Sequence, residues 1–506
     1  MKILLINPAV RPDSPKLLPN VGLAYIATAI KNAGIDFEIL DIDAHRYSEE
    51  EVEKLLRTKK FDAVGIGTLV SQYKWAKTIA HVIKGIRPNA PIIVGNTLGT
   101  SVPEILLQKT DVDIAVLGEG DVTIIDLLTK INNGEPLSSV LGICYKENGK
   151  VRRNPNREVI PNIDEIPFPD YDLFDVELYL EKSKQYVPVS EKIPIPFEEL
   201  VALPVNTARG CPYSCTFCYH AFQEKKYRHR SPENISAEFE LWRTKYGVNF
   251  VNLWDELSFY HNKATERFAD IMIEKDLGVY WIGTCRSDLL GHDDLEIAMK
   301  LKQAGCVGMG WALENANREI QLMINKGGHA DNEHYIRQAE LFHEAGIDLY
   351  SSVLFGYPQE SETSIKETFA VLRRAGIYPS VGFLQPMPGT PMHKYAVDNG
   401  FIKDEEEYLM IMGDRQDVRI NMTKMSTEHM EAVIKNELAK LNQELETGLA
   451  QEQLIKTRAY RAAKTKDGFL PKRTQDSFLQ GFGIAAEVAA STPTSPKIGL
   501  DPEASC

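Results

Sequence analysis

The sequence has 506 residues, of which 43% are apolar and 25% charged, a composition that is ordinary for globular protein and excludes a disordered or fibrous chain. Its formal net charge of −14 argues against a nucleic-acid-binding protein that works by neutralising phosphates. No apolar run approaches the roughly eighteen residues of a membrane span, and the start MKILLINPAV lacks a signal-peptide architecture, so we expect a cytoplasmic protein without a transmembrane segment.

Cysteine usage limits the possibilities further. Seven cysteines are few for this length, their number is odd, and three of them lie within residues 211–218. This usage favours a reducing compartment and a metal site over a disulfide framework. The basic stretch KKYRHR at 225–230 has two interpretations, a local nucleic-acid patch or a solvated loop, and we favour the solvated loop.

Short β-branched runs alternate with amphipathic helical segments in the first part of the chain. The strand candidates are KILLIN, FEILDI, DAVGIG, PIIVGN and DIAVLG. Five such βα units predict an α/β fold with a doubly wound parallel sheet, which we assign to a domain at residues 1–145. Ligands of such sheets bind at the carboxyl ends of the strands, so the candidate site comprises the loops at 7–20, 68–73, 95–100 and 118–121.

Small residues dominate three of these four loops. Gly95, Gly99, Gly118 and Gly120 allow the backbone to approach a large flat or phosphate-bearing ligand. The alternative is that these glycines only form tight turns between strand and helix. By pattern alone the two interpretations carry equal weight.

The rest of the chain divides into four segments. Four prolines between positions 155 and 169 indicate an extended linker, assigned to 146–200. A second βα series with six strand candidates predicts a partial (β/α)6 barrel at 201–420, with its chemistry at the carboxyl ends of the strands. We expect a helical region at 421–470 and a disordered tail at 471–506, where small residues and proline predominate.

The cysteine triplet follows the first barrel strand in the segment TARGCPYSCTFCYH. A zinc site usually has four ligands in two pairs, and only His220 stands nearby as a fourth ligand for Cys211, Cys215 and Cys218. A four-iron cluster explains the count differently, because three thiolates leave one iron open to an exogenous molecule.

The spacing CxxxCxxC, with the aromatic Phe217 directly before the third cysteine, resembles the signature of the radical S-adenosylmethionine (SAM) superfamily. This resemblance implies that Cys211, Cys215 and Cys218 hold a 4Fe-4S cluster. The open iron then chelates SAM, and an electron passed through the cluster releases a 5′-deoxyadenosyl radical. The protein orients the reactants and excludes water.

The resemblance also indicates which residues contact SAM. Strand two ends in acidic residues in the segment NLWDELSF. For Glu256 we favour a role as acceptor for the methionyl ammonium of SAM over a role as a surface carboxylate. Arg286 in the segment GTCRSD is placed to bind a carboxylate as a bidentate partner. Glu314 in GMGWALENAN occupies the glutamate of the family's GxES segment, although Asn315 replaces the serine there. The backbone around Gly356 in VLFGYPQE is expected beside adenine.

A Rossmann-like domain, a proline-marked linker and this barrel together resemble the cobalamin-binding subclass of the superfamily, over residues 1–420. The segments that carry this resemblance are NVGLAYIATAIKNAG, VGNTLGTSVPE, LGEGD and IDEIPFPDYDLF. The resemblance implies cobalamin contacts at Thr68, Gly95, Gly118 and Gly120. The DxHxxG motif of many cobalamin proteins is missing after strand one, and DIDAHRYS after strand two is a coincidental match. We therefore expect cobalamin without a histidine ligand, or a degenerate domain that binds nothing.

The resemblance favours one reaction and leaves others open. In this subclass the adenosyl radical commonly takes a hydrogen from an unactivated carbon, which methylcobalamin then methylates. The alternatives are a radical cyclase, ring-contracting enzyme or oxidoreductase without methyl transfer, as in the anaerobic protoporphyrin ester cyclases, and a non-catalytic iron-sulfur or cobalamin-binding protein. The expected partners are a flavodoxin- or ferredoxin-type electron donor and a small-molecule, lipid, tetrapyrrole or peptide substrate. Residues that act on the substrate cannot be read from the sequence.

Overall fold

A computed structural model describes residues 1–9, 17–188, 190–218, 227–291, 293–326, 331–413, 418–450 and 454–455. The architecture is mixed α/β, with an N-terminal parallel sheet followed by a parallel barrel and C-terminal helices. Across these described residues no helix combines the length and the apolar character needed to cross a membrane.

The N-terminal sheet contains seven strands, five of them parallel. They are β1 (Lys2–Asn7), β2 (Asp36–Asp41), β3 (Ala63–Gly67), β4 (Ile92–Gly95), β5 (Ile114–Val116), β6 (Ile143–Glu147) and β7 (Lys150–Arg153). Their spatial order is β2-β1-β3-β4-β5-β6-β7, and only β6 and β7 pair antiparallel to their neighbours. The five predicted strands are confirmed, and the sheet extends past residue 145. The additional β-hairpin turns at Asn148 and Gly149, both in the left-handed region.

Helices cover both faces of this sheet. They are α1 (Val21–Asn32), α2 (Ile42–His45), α3 (Glu49–Thr58), α4 (Tyr73–Ile86), α5 (Asn96–Ser101), α6 (Pro103–Lys109) and α7 (Asp121–Asn133). Along β1, Leu4 and Ile6 pack with Tyr73 of α4, whereas Leu5 packs on the other face with Leu23 of α1 and Leu127 of α7. A sheet buried on both faces is the doubly wound arrangement that the sequence predicts.

The segment between sheet and barrel is not uniformly extended. It contains helix α8 (Val176–Ser183), which begins after the capping side chain of Asp175. The Tyr179 hydroxyl donates to Asp41 Oδ2 at 2.6 Å, and the Tyr171 hydroxyl donates to the carbonyl of Pro204 at 3.4 Å. The segment thus connects the end of β2 with the first barrel strand.

The barrel has six strand positions, as predicted. The strands after the N-terminal sheet are β8 (Ala202–Val205), β9 (Ala208–Arg209), β10 (Arg228–His229), β11 (Phe250–Leu253), β12 (Tyr280–Thr284), β13 (Cys306–Gly310), β14 (Asp348–Tyr350), β15 (Ser352–Phe355) and β16 (Ser380–Phe383). Parallel pairing runs β8-β11-β12-β13-β14 and continues as β15-β16, with the fifth position interrupted at Ser351. The short strands β9 and β10 form a separate antiparallel pair.

The remaining helices surround the barrel and extend past it. They are α9 (Pro232–Tyr246), α10 (Asn262–Lys275), α11 (Leu295–Gln303), α12 (Arg318–Ile324), α13 (Asn332–Glu344), α14 (Glu362–Arg374), α15 (Pro391–Asp398), α16 (Glu405–Ile411) and α17 (Thr427–Glu444). The expected C-terminal helical region corresponds to α17, which packs on α14 through the Arg373–Glu437 ion pair at 2.7 Å. The tail expected at 471–506 lies outside the described residues.

The sheet and the barrel share a hydrophobic core. One buried cluster contains Leu4 and Ile6 of β1 together with Leu384 and Met412 from the end of the barrel. At its edge the Tyr73 hydroxyl donates to Glu406 Oε1 at 3.0 Å. The two halves of the chain therefore pack as one body.

Candidate active site

The cysteine loop is closed at its base by the pairing of β9 with β10. Within it, the Thr216 N–H donates to the carbonyl of Ile324 at 2.9 Å, and the Met392 N–H donates to the carbonyl of Thr216 at 3.0 Å. The loop is thus held by the ends of α12 and α15. Residues 219–226, with the alternative zinc ligand His220, lie outside the described residues.

The three thiols lie in one electrostatic environment. Burial raises the pKa of Cys211, Cys215 and Cys218, and for Cys218 the charges of Glu256, Cys215, Glu314 and Cys211 raise it further. The thiolates therefore need a compensating positive charge, which bound iron supplies. Among the described residues, no three His, Cys, Asp or Glu side chains converge on one ion. Thiolates that bind three different irons of one cluster need not converge on a single ion.

Asp255 organises the entry to the cysteine loop. Its carboxylate accepts hydrogen bonds from the Thr207 N–H at 2.9 Å, the Thr207 hydroxyl at 2.7 Å, the Ala208 N–H at 3.2 Å and the Ser258 hydroxyl at 3.2 Å. A carboxylate with this many internal donors has little capacity left for SAM. Glu256, the other acidic residue after β11, is exposed, and its charge contributes to the raised pKa of Cys211 and Cys218.

Glu314 combines two features of a binding residue. Its backbone is left-handed, with φ of 63°, and its side chain is 8% exposed, with Oε2 lacking a partner in the described structure. A buried carboxylate oxygen without a donor is costly unless a ligand supplies one, as an ammonium or ribose hydroxyl of SAM does. Asn315, which replaces the family's serine, donates to both carboxylate oxygens of Glu360 at 3.2 Å and so has a structural role.

The guanidinium of Arg286 lies over the Tyr213 ring, 3.6 Å from its centroid. Its Nε donates to Asp288 Oδ1 at 3.3 Å. Since Tyr213 lies between the first two cysteines, this stacking holds a cation at the cysteine loop. The charge of Arg286 lowers the pKa of Cys215 against the stronger effect of burial, which places the arginine within range of the expected cluster.

The structure gives two further predicted SAM contacts, Phe217 and Gly356, different surroundings. Phe217 packs against the core, with its ring centroid 6.1 Å from that of Tyr357. Gly356 adopts φ of 103°, a backbone conformation that disfavours any other residue, and lies at the carboxyl end of β15. The Gly356 N–H donates to the carboxylate of Glu360, and this hydrogen bond fixes the turn beside the expected adenine position.

Lys326 is a site residue that the sequence analysis missed. Its Nζ donates to the carbonyl of Ala312, and its own carbonyl lies 4.0 Å from Cys215 Sγ. Burial lowers the pKa of Lys326, and Glu314 nearby opposes the change. A single lysine two residues after a short helix carries no pattern, so only the fold could bring it to the cysteines.

The four loops at the carboxyl edge of the N-terminal sheet contact one another. Gln72 Nε2 donates to the carbonyl of Ala9 at 3.2 Å, the Val70 N–H donates to Thr97 Oγ1 at 2.8 Å, and the Gly118 N–H donates to Thr100 Oγ1 at 3.0 Å. The predicted loop cluster is thus present over its described part. Residues 10–16 of the first loop lie outside the described residues.

The edge retains features of a ligand site. Thr68 is 1% exposed, and its hydroxyl lacks a partner in the described structure. Gly118 has φ of 69° and open space at its Cβ position, whereas a Cβ on Gly120 would lie 2.8 Å from the Ile26 side chain. Packing therefore explains Gly120, and an added Cβ on Gly95 meets nothing closer than 3.9 Å. Of the four predicted positions, Thr68 thus offers a buried hydroxyl without a partner in the described structure, and Gly118 offers an open backbone.

His45 lies on the short helix that directly follows β2. It is exposed at the end of α2 and stacks on Tyr47 at a centroid distance of 5.2 Å, while Asp43 pairs with Arg46. The DIDAHRYS segment thus forms a short capped helix after β2.

The two candidate sites adjoin. Arg209, two residues before the first cysteine, forms a bidentate pair with Asp121 at 2.8 and 3.0 Å, and Asp121 begins the helix after the Gly118 loop. The cysteine loop and the carboxyl edge of the N-terminal sheet therefore meet directly.

Comparisons with known proteins match this architecture in both halves. The family model of the B12 binding domain matches residues 10–128, and that of the radical SAM superfamily matches residues 205–372. An uncharacterized methyltransferase of Pyrococcus horikoshii is 29% identical over 79% of this chain and 84% of its own length. The anaerobic magnesium-protoporphyrin IX monomethyl ester cyclase of Rubrivivax gelatinosus is 28% identical over 74% of this chain and 66% of its own.

Solved structures share the fold. The radical SAM methyltransferase TsrM of Kitasatospora setae superposes with a TM-score of 0.64 at 17% identity, covering 79% of this chain and 76% of its own. The cobalamin-dependent SAM radical enzyme OxsB gives 0.62 at 18% identity, covering 84% and 58%. With both domains matched in the expected order, this chain is a radical SAM enzyme that carries an N-terminal B12-binding domain, a pair of domains whose cofactors are a 4Fe-4S cluster, SAM and cobalamin.

Proposed function

We propose that this enzyme transfers a methyl group from SAM, through cobalamin, to an unactivated carbon of a small-molecule substrate. The observation that carries the proposal is the bidentate contact between Arg209 and Asp121, which joins the cysteine loop to the loop expected to bind cobalamin. A radical formed at one site and a methyl donor held at the other then reach the same substrate. The methyltransferase from P. horikoshii supports this choice of reaction.

The residues divide the task among them. When bound, the cluster supplies the electron that cleaves SAM to methionine and a 5′-deoxyadenosyl radical, and cobalamin supplies the methyl group. Cys211, Cys215 and Cys218 hold the cluster. The free oxygen of Glu314 accepts from SAM, with Glu256, Arg286 and Gly356 around it. Thr68 and Gly118 face cobalamin, with Gly95 and Gly120 shaping the same edge.

The barrel interior supports a substrate with at least one polar group. Asn252 on β11 is 1% exposed, and both atoms of its amide lack a partner in the described structure. Its neighbours in register are Pro204 on β8 and Ile282 on β12. An apolar wall with one unpaired amide suits a small molecule, a lipid, a tetrapyrrole or a peptide side chain that offers a donor and an acceptor.

Three further proposals concern the electron donor, the cellular compartment and the domain boundaries. A flavodoxin- or ferredoxin-type protein reduces the cluster, since the reaction needs an external electron. The enzyme acts in the cytoplasm, where an iron-sulfur cluster and free thiols are maintained. The chain divides into a cobalamin-binding domain, a linker to residue 200, the barrel at 201–420 and a C-terminal extension, and the hairpin of β6 and β7 moves the first boundary from 145 to 153.

A second candidate function is radical cyclisation or oxidation without methyl transfer. The observation in its favour is the similarity to the cyclase of R. gelatinosus, which nearly equals the similarity to the methyltransferase. Both reactions need the same cofactor set and the same site geometry.

Labelled SAM separates these functions without knowledge of the substrate. The reconstituted protein is reduced in the presence of SAM that carries a trideuterated methyl group, and the small molecules are then released and analysed by mass spectrometry. Formation of 5′-deoxyadenosine together with label on the released cobalamin supports methyl transfer. Formation of 5′-deoxyadenosine with unlabelled cobalamin supports the cyclase-type reaction, and absence of both contradicts a radical SAM function.

A further inference from the structure

We infer that Glu119 and Asp121 lock the base of the cysteine loop and thereby couple the cobalamin site to the iron-sulfur site. Both carboxylates lie in the LGEGD segment after β5, and both pair with arginines that flank the cysteine loop. They are positioning residues, because they act on the cluster through Arg209 and Arg228. The inference goes beyond the proposed function and rests on it only in that cobalamin binds at this edge of the sheet.

The base of the cysteine loop needs these carboxylates. Arg209 of β9 and Arg228 of β10 stand directly opposite each other in the antiparallel register. Like charges in this position destabilise a strand pair. The pair consists of only two residues on each strand, so little else compensates for the repulsion. Without an anionic partner the two strands would separate and the cysteine loop would open.

The N-terminal domain supplies those partners at buried positions. The side chain of Arg209 is 14% exposed and that of Asp121 is 12% exposed, and Arg228 pairs with Glu119 at a site buried more deeply still. Arg209 also lies over the ring of Tyr25 on α1, 5.3 Å from its centroid. At this low exposure, removal of one carboxylate leaves the two arginines with a single anion of the pair between them.

The linker completes the lock. Glu119 Oε2 accepts from the Ile160 N–H at 3.0 Å, and Arg228 Nη1 donates to the Ile160 carbonyl at 2.7 Å. Glu119 therefore connects three separate parts of the chain. The basic stretch at 225–230, which the sequence analysis took for a solvated loop, instead has its Arg228 and Arg230 buried against Glu119 and Glu238.

The same short loop serves both sites. Gly118, whose open left-handed backbone faces the expected cobalamin position, directly precedes Glu119, and Asp121 follows two residues later. A ligand that orders Gly118 also orders the two carboxylates that close the cysteine loop. By thermodynamic linkage, a cluster that orders the cysteine loop then favours cobalamin binding by the same factor.

The test compares cobalamin binding in two forms of the full-length protein. Hydroxocobalamin affinity is measured by equilibrium dialysis for the cluster-loaded protein and for the protein stripped of iron by a chelator. We expect the cluster-loaded form to bind about tenfold more tightly. In Asp121→Asn and in Glu119→Gln this difference disappears. In the matched control Asp126→Asn, which breaks the 2.5 Å pair of Asp126 on α7 with Arg157, the difference persists.

A second measurement does not depend on cobalamin. Iron loss to a chelator is followed in cobalamin-free protein, where we expect Asp121→Asn and Glu119→Gln to lose iron about tenfold faster than the wild type and than Asp126→Asn. Equal cobalamin affinities of the two wild-type forms, or equal rates of iron loss in all variants, would overturn the coupling while leaving the proposed function intact. Failure of both forms to bind cobalamin would overturn the coupling and the proposed reaction together.

Discussion

At the scale of single residues, Glu314 carries the most information about the site. Left-handed backbone is uncommon for glutamate, and it persists here because the bridge to β15 fixes both backbone groups. The Glu314 N–H donates to the carbonyl of Ser352 at 3.2 Å, and its carbonyl accepts from the Leu354 N–H at 2.9 Å. The fold thus fixes the direction of a buried carboxylate with one unused oxygen, as expected of a preorganised contact to SAM.

We predict that Glu314→Gln weakens SAM binding and leaves the cluster intact. Loss of a charge-assisted hydrogen bond costs about 1.5–3 kcal/mol, which corresponds to roughly a tenfold to hundredfold weaker affinity. Iron content and the absorbance of the cluster remain at wild-type level. Calorimetric titration with SAM checks the affinity, and Glu319→Gln, an exposed change on the next helix, serves as control. Unchanged affinity in Glu314→Gln removes this residue from the site.

The cysteines make a second prediction. Cys215→Ala abolishes the charge-transfer absorbance of the cluster and SAM cleavage together, because the cluster needs all three thiolates as protein ligands. Cys144→Ala, which removes a buried thiol from β6 of the N-terminal sheet, leaves both signals unchanged. Absorbance and formation of 5′-deoxyadenosine are measured on the same samples. A cluster retained in Cys215→Ala contradicts the ligand assignment.

Glu360 makes the stability of the barrel depend on pH. Burial raises the pKa of Glu360 to about 7 from its ordinary 4.5, although hydrogen bonds from Ser364, Asn315, Gly356 and Tyr357 oppose the change. The folded state therefore binds more protons than the unfolded state between these values. The free energy of unfolding is highest below pH 4.5 with respect to this group and falls by about 3 kcal/mol as the pH rises to 7.

Denaturant titrations between pH 4.5 and 8 check this prediction for the wild type, Glu360→Gln and the exposed control Glu274→Gln on α10. Glu360→Gln should lose the decrease that the wild type and the control share. An equal pH dependence in all three proteins means that another group titrates.

At the scale of elements, Asp255 shows how one side chain fixes a loop. It lies after β11 and accepts from residues that lead from β8 into the cysteine loop. We predict that Asp255→Asn lowers the free energy of unfolding by about 1–3 kcal/mol, because the new amide turns donors toward donors at a half-buried position. Iron retention falls in parallel. Chemical denaturation and iron analysis check both effects against Asp276→Asn, an exposed control at the end of α10. Normal iron retention in Asp255→Asn would show that the loop does not depend on this contact.

Most elements could be predicted from local patterns, and the failures have physical reasons. The five parallel strands and the six barrel positions follow from apolar runs that alternate with amphipathic helices. The hairpin of β6 and β7 was missed although Asn148 and Gly149 form a typical hairpin turn, because β7 is mostly exposed and lacks an apolar alternation. Helix α8 was missed because four prolines before it favoured an extended linker.

At the scale of the whole molecule, the relation between the two halves was beyond sequence analysis. Asp121 and Arg209 lie 88 positions apart, and neither belongs to a periodic pattern that predicts its partner. The three cysteines were recognisable because their spacing is local. Lys326 and the arginines of the 225–230 stretch were not, because their roles depend on contacts that only the folded chain creates.

The assignment of the two cofactor domains also depends on the arrangement of the whole molecule. Both cofactor domains lie in one chain, share a buried core and meet at the Arg209–Asp121 contact. Cofactor content tests most directly whether one chain holds an iron-sulfur cluster and cobalamin together.

The protein is purified without oxygen, reconstituted with iron, sulfide and hydroxocobalamin, freed of unbound cofactor, and analysed for iron and cobalt per chain. We predict about four irons and one cobalt. Four irons without cobalt would contradict cobalamin-dependent methyl transfer while leaving the radical chemistry of the barrel. Cobalt without iron would contradict the assignment of the three cysteines.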